Sequence, residues 1–180
     1  LKGELEAVFA GLRMKKASYT AEKNNPSYHP GRCASIWFDG VEVGVMGQVH
    51  PLVAKNYGID TEVYCAELNL TKMFDLRLPE PTFAPLPKYP AVSRDLALVC
   101  DEALTVAQVE EAITAAAGKL LRKIQLFDIY RGVGIPEGKK SMAFSLELRA
   151  DDRTLTDSDS EKVVADVLAA LKETLNATLR

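Results

Sequence analysis

Apolar residues at Leu1, Leu5, Val8, Phe9 and Leu12 recur at helical spacing, which predicts that the chain opens with an amphipathic helix. Residues 24–32, Asn-Asn-Pro-Ser-Tyr-His-Pro-Gly-Arg, are rich in turn formers and read as a loop. Residues 34–38 and 41–49 read as two strands joined by a tight turn at Asp39-Gly40. Gly44 and Gly47 in the second strand point to a bulge or to close approach of another backbone. Pro51 starts a short helix that Gly58 ends, and residues 62–70 read as a further strand. Together these predict a small antiparallel sheet with a helix against it.

The pattern breaks at residues 78–90, where five prolines forbid helix and interrupt sheet ladders. The expected organisation is a first module over residues 1–78, a Pro-rich linker over 79–87 and a second module over 88–180. There is no internal repeat or low-complexity tract. In the second module, residues 95–99 read as a strand. Thr105-x-x-Gln108 is a capping box for a helix with Val106, Val109, Ile113 and Ala116 on one side. Residues 124–130 and 140–149 read as strands around a Gly/Pro loop at 131–138. Thr156 is a good N-cap, with Asp157 and Asp159 at the positive end of the helix dipole, and Val164, Val167, Leu168, Leu171 and Leu175 form the stripe that follows. Asn176 can end that helix, leaving 177–180 as a short last strand. The order βαββαβ is that of the ferredoxin-like unit, with both helices on one face of the sheet and the other face open. The fold class expected for the whole chain is therefore α+β.

Alternation assigns the faces. Met142, Phe144, Leu146 and Leu148 should meet the helices, while Ser141, Ala143, Ser145, Glu147 and Arg149 face the open side. If Phe127 and Ile129 point to the helices, Asp128 and Tyr130 share the open face with Ser141. Strict alternation then puts Ile124 and Leu126 on that open face too, and a one-residue slip inverts the whole assignment.

Composition narrows the function. Among 180 residues, 47% are hydrophobic and 26% charged, which excludes a disordered chain. No apolar run approaches the roughly 20 residues of a membrane span. Cys33, Cys65 and Cys100 lie far apart without a Cys-x-x-Cys, which argues against a disulfide framework or zinc ribbon and suits a reducing cytoplasm. The net charge of -3 argues against strong autonomous binding of DNA or RNA. The chain opens Leu1-Lys2-Gly3 with neither an initiator Met nor a signal peptide, and is expected to be a piece of something larger.

Charge is uneven within the second module. Lys119, Arg122, Lys123, Arg131, Lys139 and Lys140 stand against only Asp128 and Glu137, whereas the span from Asp151 to Asp166 is strongly acidic. Both stretches read equally as solvated faces. The functional alternative is a small phosphate-facing patch beside an exposed Tyr that stacks on a single-stranded base. Elsewhere, His29, His50, Cys33 and Cys65 match no zinc-ligand spacing, and the histidines are expected to fix loops. No nucleophile–base or oxyanion motif is present. Arg94 is left to pair with Asp95 or Asp101 or to touch RNA, and Trp37 and Phe38 belong to core or interface.

Several stretches then resemble one family. Tyr89-Pro90-Ala91-Val92-Ser93-Arg94-Asp95-Leu96-Ala97-Leu98-Val99 comes first, followed by Leu126-Phe127-Asp128-Ile129-Tyr130-Arg131-Gly132 and by Gly138-Lys139-Lys140-Ser141. Arg153-Thr154-Leu155-Thr156-Asp157 and the terminal Leu179-Arg180 complete the series. In this order and spacing they resemble the ferredoxin-fold anticodon-binding domain that closes the β subunit of bacterial phenylalanyl-tRNA synthetases. Tyr28-His29-Pro30-Gly31-Arg32-x-Ala34 and Gly44-Val45-Met46-Gly47-Gln48-Val49-His50-Pro51 look like the end of that subunit's catalytic-like module.

The resemblance implies an (αβ)₂ ligase that joins phenylalanine to its tRNA with ATP and magnesium. It implies that chemistry belongs to the α subunit, and that residues 1–78 are an inactive relative of a class II core serving structure and subunit contact. No catalytic residue, metal or cofactor is then expected in this chain. The first anticodon base would stack on Tyr130 while Asp128 and Ser141 hydrogen-bond its edge. The local charge balance, independently of the resemblance, adds Arg131, Lys139 and Lys140 as candidate RNA contacts. The implied partners are phenylalanine tRNA, the α subunit and the rest of the β subunit, in the cytoplasm, with no membrane and no DNA. Two alternatives remain. One is an amino-acid-binding regulatory module, since βαββαβ units also build those. The other is an autonomous RNA-recognition domain, which the missing aromatic-rich signature on the third strand disfavours.

Overall fold

A computed structural model describes residues 1–180, which divide into two units, Leu1–Phe83 and Ala84–Arg180. The first holds helix α1 (Lys2–Gly11), strands β1 (Ser18–Ala21), β2 (Tyr28–Phe38) and β3 (Val41–Val49), helix α2 (Pro51–Asn56), strand β4 (Tyr64–Leu68) and helix α3 (Leu70–Asp75). Its sheet runs β1-β2-β3-β4, antiparallel throughout. Asp39 and Gly40 both carry positive φ, 49° and 78°, as a two-residue hairpin of matching twist requires. Gly47 lies between Cys33 and Cys65 on the flanking strands, and a Cβ there would sit 2.6 Å from the Arg32 carbonyl oxygen. The neighbouring backbone therefore excludes any side chain at that position.

The core of this unit joins Phe9 to Ile36, Phe38, Val43 and Met73, with the Phe9 and Phe38 rings edge to face at 5.0 Å. The helical stripe is rotated from the sequence expectation: Phe9 is buried, Leu5 and Leu12 pack beside it, and Val8 is exposed. Two elements are additional. Strand β1 pairs with the end of β2, and α3 begins where the fourth strand was expected to continue, because the Asn69 side chain accepts a bond from the Lys72 amide and turns the chain. Part of the expected loop is extended backbone in β2, but the ladder to β3 skips between Tyr28 and Cys33, where Pro30 has no N–H to give. The Tyr28 hydroxyl, buried under β4, donates to Glu67 and accepts from the Cys65 thiol; burial first, and these partners second, raise its pKa. His29 and His50 each accept a backbone amide through Nδ1, from Gly31 and Leu52.

The second unit holds β5 (Val92–Asp101), α4 (Val106–Ala117), a 3₁₀ turn (Gly118–Leu120), β6 (Leu121–Tyr130), β7 (Lys139–Leu148), α5 (Asp157–Leu175) and β8 (Thr178–Leu179). The sheet order is β6-β7-β5-β8, so β5 and β7 are central and the βαββαβ chain closes a ferredoxin-like, α+β domain. Both helices start on reciprocal capping boxes, Thr105 with Gln108 and Thr156 with Asp159. Asn176, at φ 49°, ends α5 in the left-handed conformation. Leu96, Leu98, Phe144, Leu146 and Leu148 from the central strands bury one face of the sheet against Val109, Ile113, Val167 and Leu171 of the helices. Arg94 lies on this side and pairs with neither Asp95 nor Asp101. Its guanidinium donates to Asp157 and Ser160 at the start of α5. No helix of the chain is long and apolar enough to cross a membrane.

Candidate nucleic-acid interface

The open face is built by strand alternation that β6 interrupts twice, between Leu121 and Lys123 and between Leu126 and Asp128. On the edge strand β6, Ile124 pairs with Leu146 and Leu126 with Phe144, so both pack into the core. The next pair is Asp128 with Ala143, and Phe127 is skipped. This β-bulge shifts the alternation by one residue. It corrects the strict-parity reading at three positions: Ile124 and Leu126 join the core rather than the open face, and Phe127 is 56% exposed rather than buried against the helices. Beyond the bulge Ile129 pairs with Met142 on the helix side, and Asp128 and Tyr130 stand on the open side with Ala143 and Ser141.

The register of β5 and β8 completes two rows across the sheet. One runs Tyr130, Ser141, Val99, Thr178. The other runs Asp128, Ala143 and Ala97 to Arg180, whose amide donates to the Ala97 carbonyl. The middle positions are Ser141 and Val99 in one row and Ala143 and Ala97 in the other, none larger than valine, so the face is a low floor with Asp128 and Tyr130 on one edge and Arg180 on the other. The Arg180 guanidinium reaches over this floor to 5.1 Å from the centre of the Tyr130 ring. The ring's far end rests on the backbone of Gly132, where a Cβ would lie 2.8 Å from the Tyr130 hydroxyl oxygen. That hydroxyl donates to the Val133 carbonyl at 3.4 Å. Sequence reasoning gave Gly132 and Arg180 no role. The only signal for either was its place in the quoted motifs, because their contact with Tyr130 depends on a turn and on a strand pairing across the sheet. Tyr130 is 37% exposed and Ser141 only 3%, so Ser141 lies in the floor.

The three basic candidates are placed differently from expectation. Lys140 shares the alternation of Met142 and points to the helix side. It is 7% exposed, and its ammonium donates to the carbonyls of Glu102 at 2.9 Å and Leu104 at 2.6 Å. It is a buried strut for the turn before α4, not a solvated hairpin cation. Lys139 pairs with Asp101 at 2.7 Å, and Arg131 grips Glu102 through both Nε and Nη2, the shorter contact being 2.6 Å. The Arg131 hydrogen bonds hold the Glu102 carboxyl below its ordinary range and raise the guanidinium in turn. The basic stretch around the hairpin is thus largely neutralised by Asp101 and Glu102 from the end of β5. Of the six cations in that stretch, only Lys119 and Lys123, at the other end of β6, stay exposed without an ion pair.

No three His, Cys, Asp or Glu side chains gather as a metal site. A hollow of about 810 Å³ in the first unit is lined by Glu22, Glu42, Glu67, Asn69 and Lys72 among others, without a histidine or cysteine.

Comparison with known proteins agrees with this architecture. The family described as "Ferredoxin-fold anticodon binding domain" matches residues 87–180, and "Phenylalanyl tRNA synthetase beta chain CLM domain" matches residues 1–70. A phenylalanine–tRNA ligase beta subunit of Clostridium tetani is 42% identical over 180 residues, covering 100% of this chain and 23% of the relative. Those of Bacillus licheniformis and Synechocystis sp. are each 41% identical, over 180 and 183 residues, covering 100% and 99% of this chain and 22% of each relative. The chain therefore spans less than a quarter of the length of these curated relatives. With more than half of its residues matched by the first of those families, the chain belongs to the ferredoxin-fold anticodon-binding domain family.

Proposed function

We propose that the open face of the second unit binds the anticodon of phenylalanine tRNA, and that the chain is the tRNA-binding and interface portion of a phenylalanine–tRNA ligase β subunit. The observation that carries this reading is the pair of rows that brings Tyr130, Asp128 and Ser141 onto one helix-free face above a floor of small residues. Such a floor leaves room for a flat base against the Tyr130 ring. The Asp128 carboxylate accepts from the N1 and N2 donors of a guanine, a role that justifies an acid on an RNA surface. The Ser141 hydroxyl lies beneath, and reaches the base once the Arg180 guanidinium withdraws from the ring.

In this reading phenylalanine is attached to the tRNA by the α subunit with ATP and magnesium in the cytoplasm, and this chain holds neither. Leu52, Tyr57, Leu70 and Phe74 leave exposed apolar surface on the first unit, which supports a role there in contact with the α subunit or the rest of the β subunit.

The test is a binding titration with phenylalanine tRNA and a copy carrying a different anticodon. Stacking is worth about 1–3 kcal/mol per base, so Tyr130→Ala should weaken binding by roughly tenfold or more and reduce the preference. Free phenylalanine should not bind. If Tyr130→Ala treats both tRNAs as the parent does, the platform is misassigned; saturable binding of phenylalanine to the second unit would favour the regulatory-module alternative.

A further inference from the structure

The hairpin cations that sequence composition pointed to are occupied, and the free ones lie elsewhere. We propose that the RNA strand flanking the bound base runs along edge strand β6, stacking on Phe127 and placing its phosphates against Lys123 and Lys119. This inference rests on the anticodon-face reading and extends it to the path of the backbone.

Four observations point the same way. Arg131 and Lys139 are each held by a carboxylate, and Lys140 is buried on backbone carbonyls, so the end of the sheet beyond Tyr130 offers phosphates little net charge. At the opposite end, Lys119 and Lys123 are exposed and unpaired, and Lys123 stands on the open face across from Glu147 without forming an ion pair. The Nε of Arg149, on the same end of the sheet, is buried without an acceptor. Between these cations and Tyr130 the bulge turns Phe127 out to 56% exposure, whereas Ile124 and Leu126 of the same strand pack against the core.

The geometry suits a single strand. From Tyr130 to Lys123 is seven residues of a bulged strand, about 20 Å at the usual rise. Stacked nucleotides advance about 3.4 Å each, so roughly six fit along that edge. Phe127 lies three residues from Tyr130, about 10 Å or some three nucleotides on. The outer edge of β6 is unpaired, so its backbone donors are also available to the strand.

The test measures binding of the 180-residue chain to phenylalanine tRNA and its anticodon-swapped copy at several salt concentrations. Each phosphate contact contributes about 0.7 to the salt slope for a single strand, so Lys119→Gln with Lys123→Gln should lower the slope by about 1.4 on both tRNAs. The ratio between the tRNAs should not change. The charge-neutral pair Lys139→Gln with Asp101→Asn should leave the slope as it is. Phe127→Ala should weaken both tRNAs alike, by roughly fivefold or more. A parental slope in the Lys119/Lys123 variant, while Tyr130→Ala still reduces the preference, would overturn the β6 path and leave the anticodon face standing. If Tyr130→Ala is also silent, both fall together.

Discussion

Replacing Lys140 with methionine separates the structural role of this residue from an RNA-binding one. The side chain is 7% exposed, and its ammonium donates to two carbonyls, of Glu102 and Leu104. Hydrogen bonds from a charged group are worth about 1.5–3 kcal/mol each, against which the cost of burying the ammonium must be set. Methionine keeps the buried stem and removes both bonds, leaving two carbonyls that water can partly recover at the rim of the sheet. The expected net loss is therefore about 2–3 kcal/mol of unfolding free energy. At an entropy of about 2.1 cal/mol/K per residue, a domain of this size should melt about 10–15 °C lower. Urea unfolding of the parent and of Lys140→Met gives the stability difference, and the tRNA salt titration gives the slope for each. The slope should be unchanged, since no phosphate contact is lost. A variant as stable as the parent but with a salt slope lower by about 0.7 would refute the argument, because that is how a solvated phosphate contact behaves.

Other consequences are more local. A Cβ at Gly132 would sit 2.8 Å from the Tyr130 hydroxyl oxygen, so Gly132→Ala must push the ring outward by roughly half an ångström, enough to forfeit a quarter to a half of a van der Waals contact. The anticodon preference should fall a few-fold, and the same substitution should do nothing in a Tyr130→Ala background; a full effect there would place Gly132 outside this mechanism. Tyr19 keeps its proton to about 12 instead of 10.0, through burial first and Glu6 second. Its contribution to stability is complete below pH 10 and is lost as pH rises towards 12. Tyr19→Phe should remove that component, and a spectrophotometric titration that finds every tyrosine ionising near pH 10 would contradict it.

What was legible in the sequence followed from local rules. Thr105 with Gln108 and Thr156 with Asp159 mark their helices by side chains three residues apart, and the structure forms both boxes. The alternation of Met142, Phe144, Leu146 and Leu148 gave the buried face of β7 because that strand is central and regular. What was not legible depended on distant partners. Strand β1 is four largely exposed residues whose existence follows from pairing with β2. The basic stretch from Lys119 to Lys140 is offset by Asp101 and Glu102, which lie 38 and 29 residues from their partners and arrive beside them only when β5 pairs with β7. Lys139 and Lys140 look alike in sequence, yet one pairs at the surface and the other is buried, because adjacent residues on a strand face opposite sides.

The bulge at Phe127 is the feature on which the open face turns, and it yields a test by deletion. Ile124 and Leu126 must reach the core, while Asp128 and Tyr130 must not, and a regular strand cannot put Leu126, Phe127 and Asp128 in one alternating series with that result. Skipping Phe127 solves the conflict, since the pairs on either side, Leu126 with Phe144 and Asp128 with Ala143, are consecutive on β7 apart from that residue. Removing Phe127 altogether should therefore leave every remaining pair of β6 and β7 in place. The loss should be limited to the bulge's extra twist and to whatever the exposed ring binds, within about 1 kcal/mol of stability in the free chain. Deleting Ala143 from the regular centre of β7 should instead reverse the faces of one half of that strand and abolish cooperative folding. The chain without Phe127 should still prefer phenylalanine tRNA over its anticodon-swapped copy, with both bound more weakly. If that deletion unfolds the domain, or if it abolishes the preference while the fold persists, the bulge itself aims Asp128 and Tyr130, and strand alternation is not a sufficient account of the face.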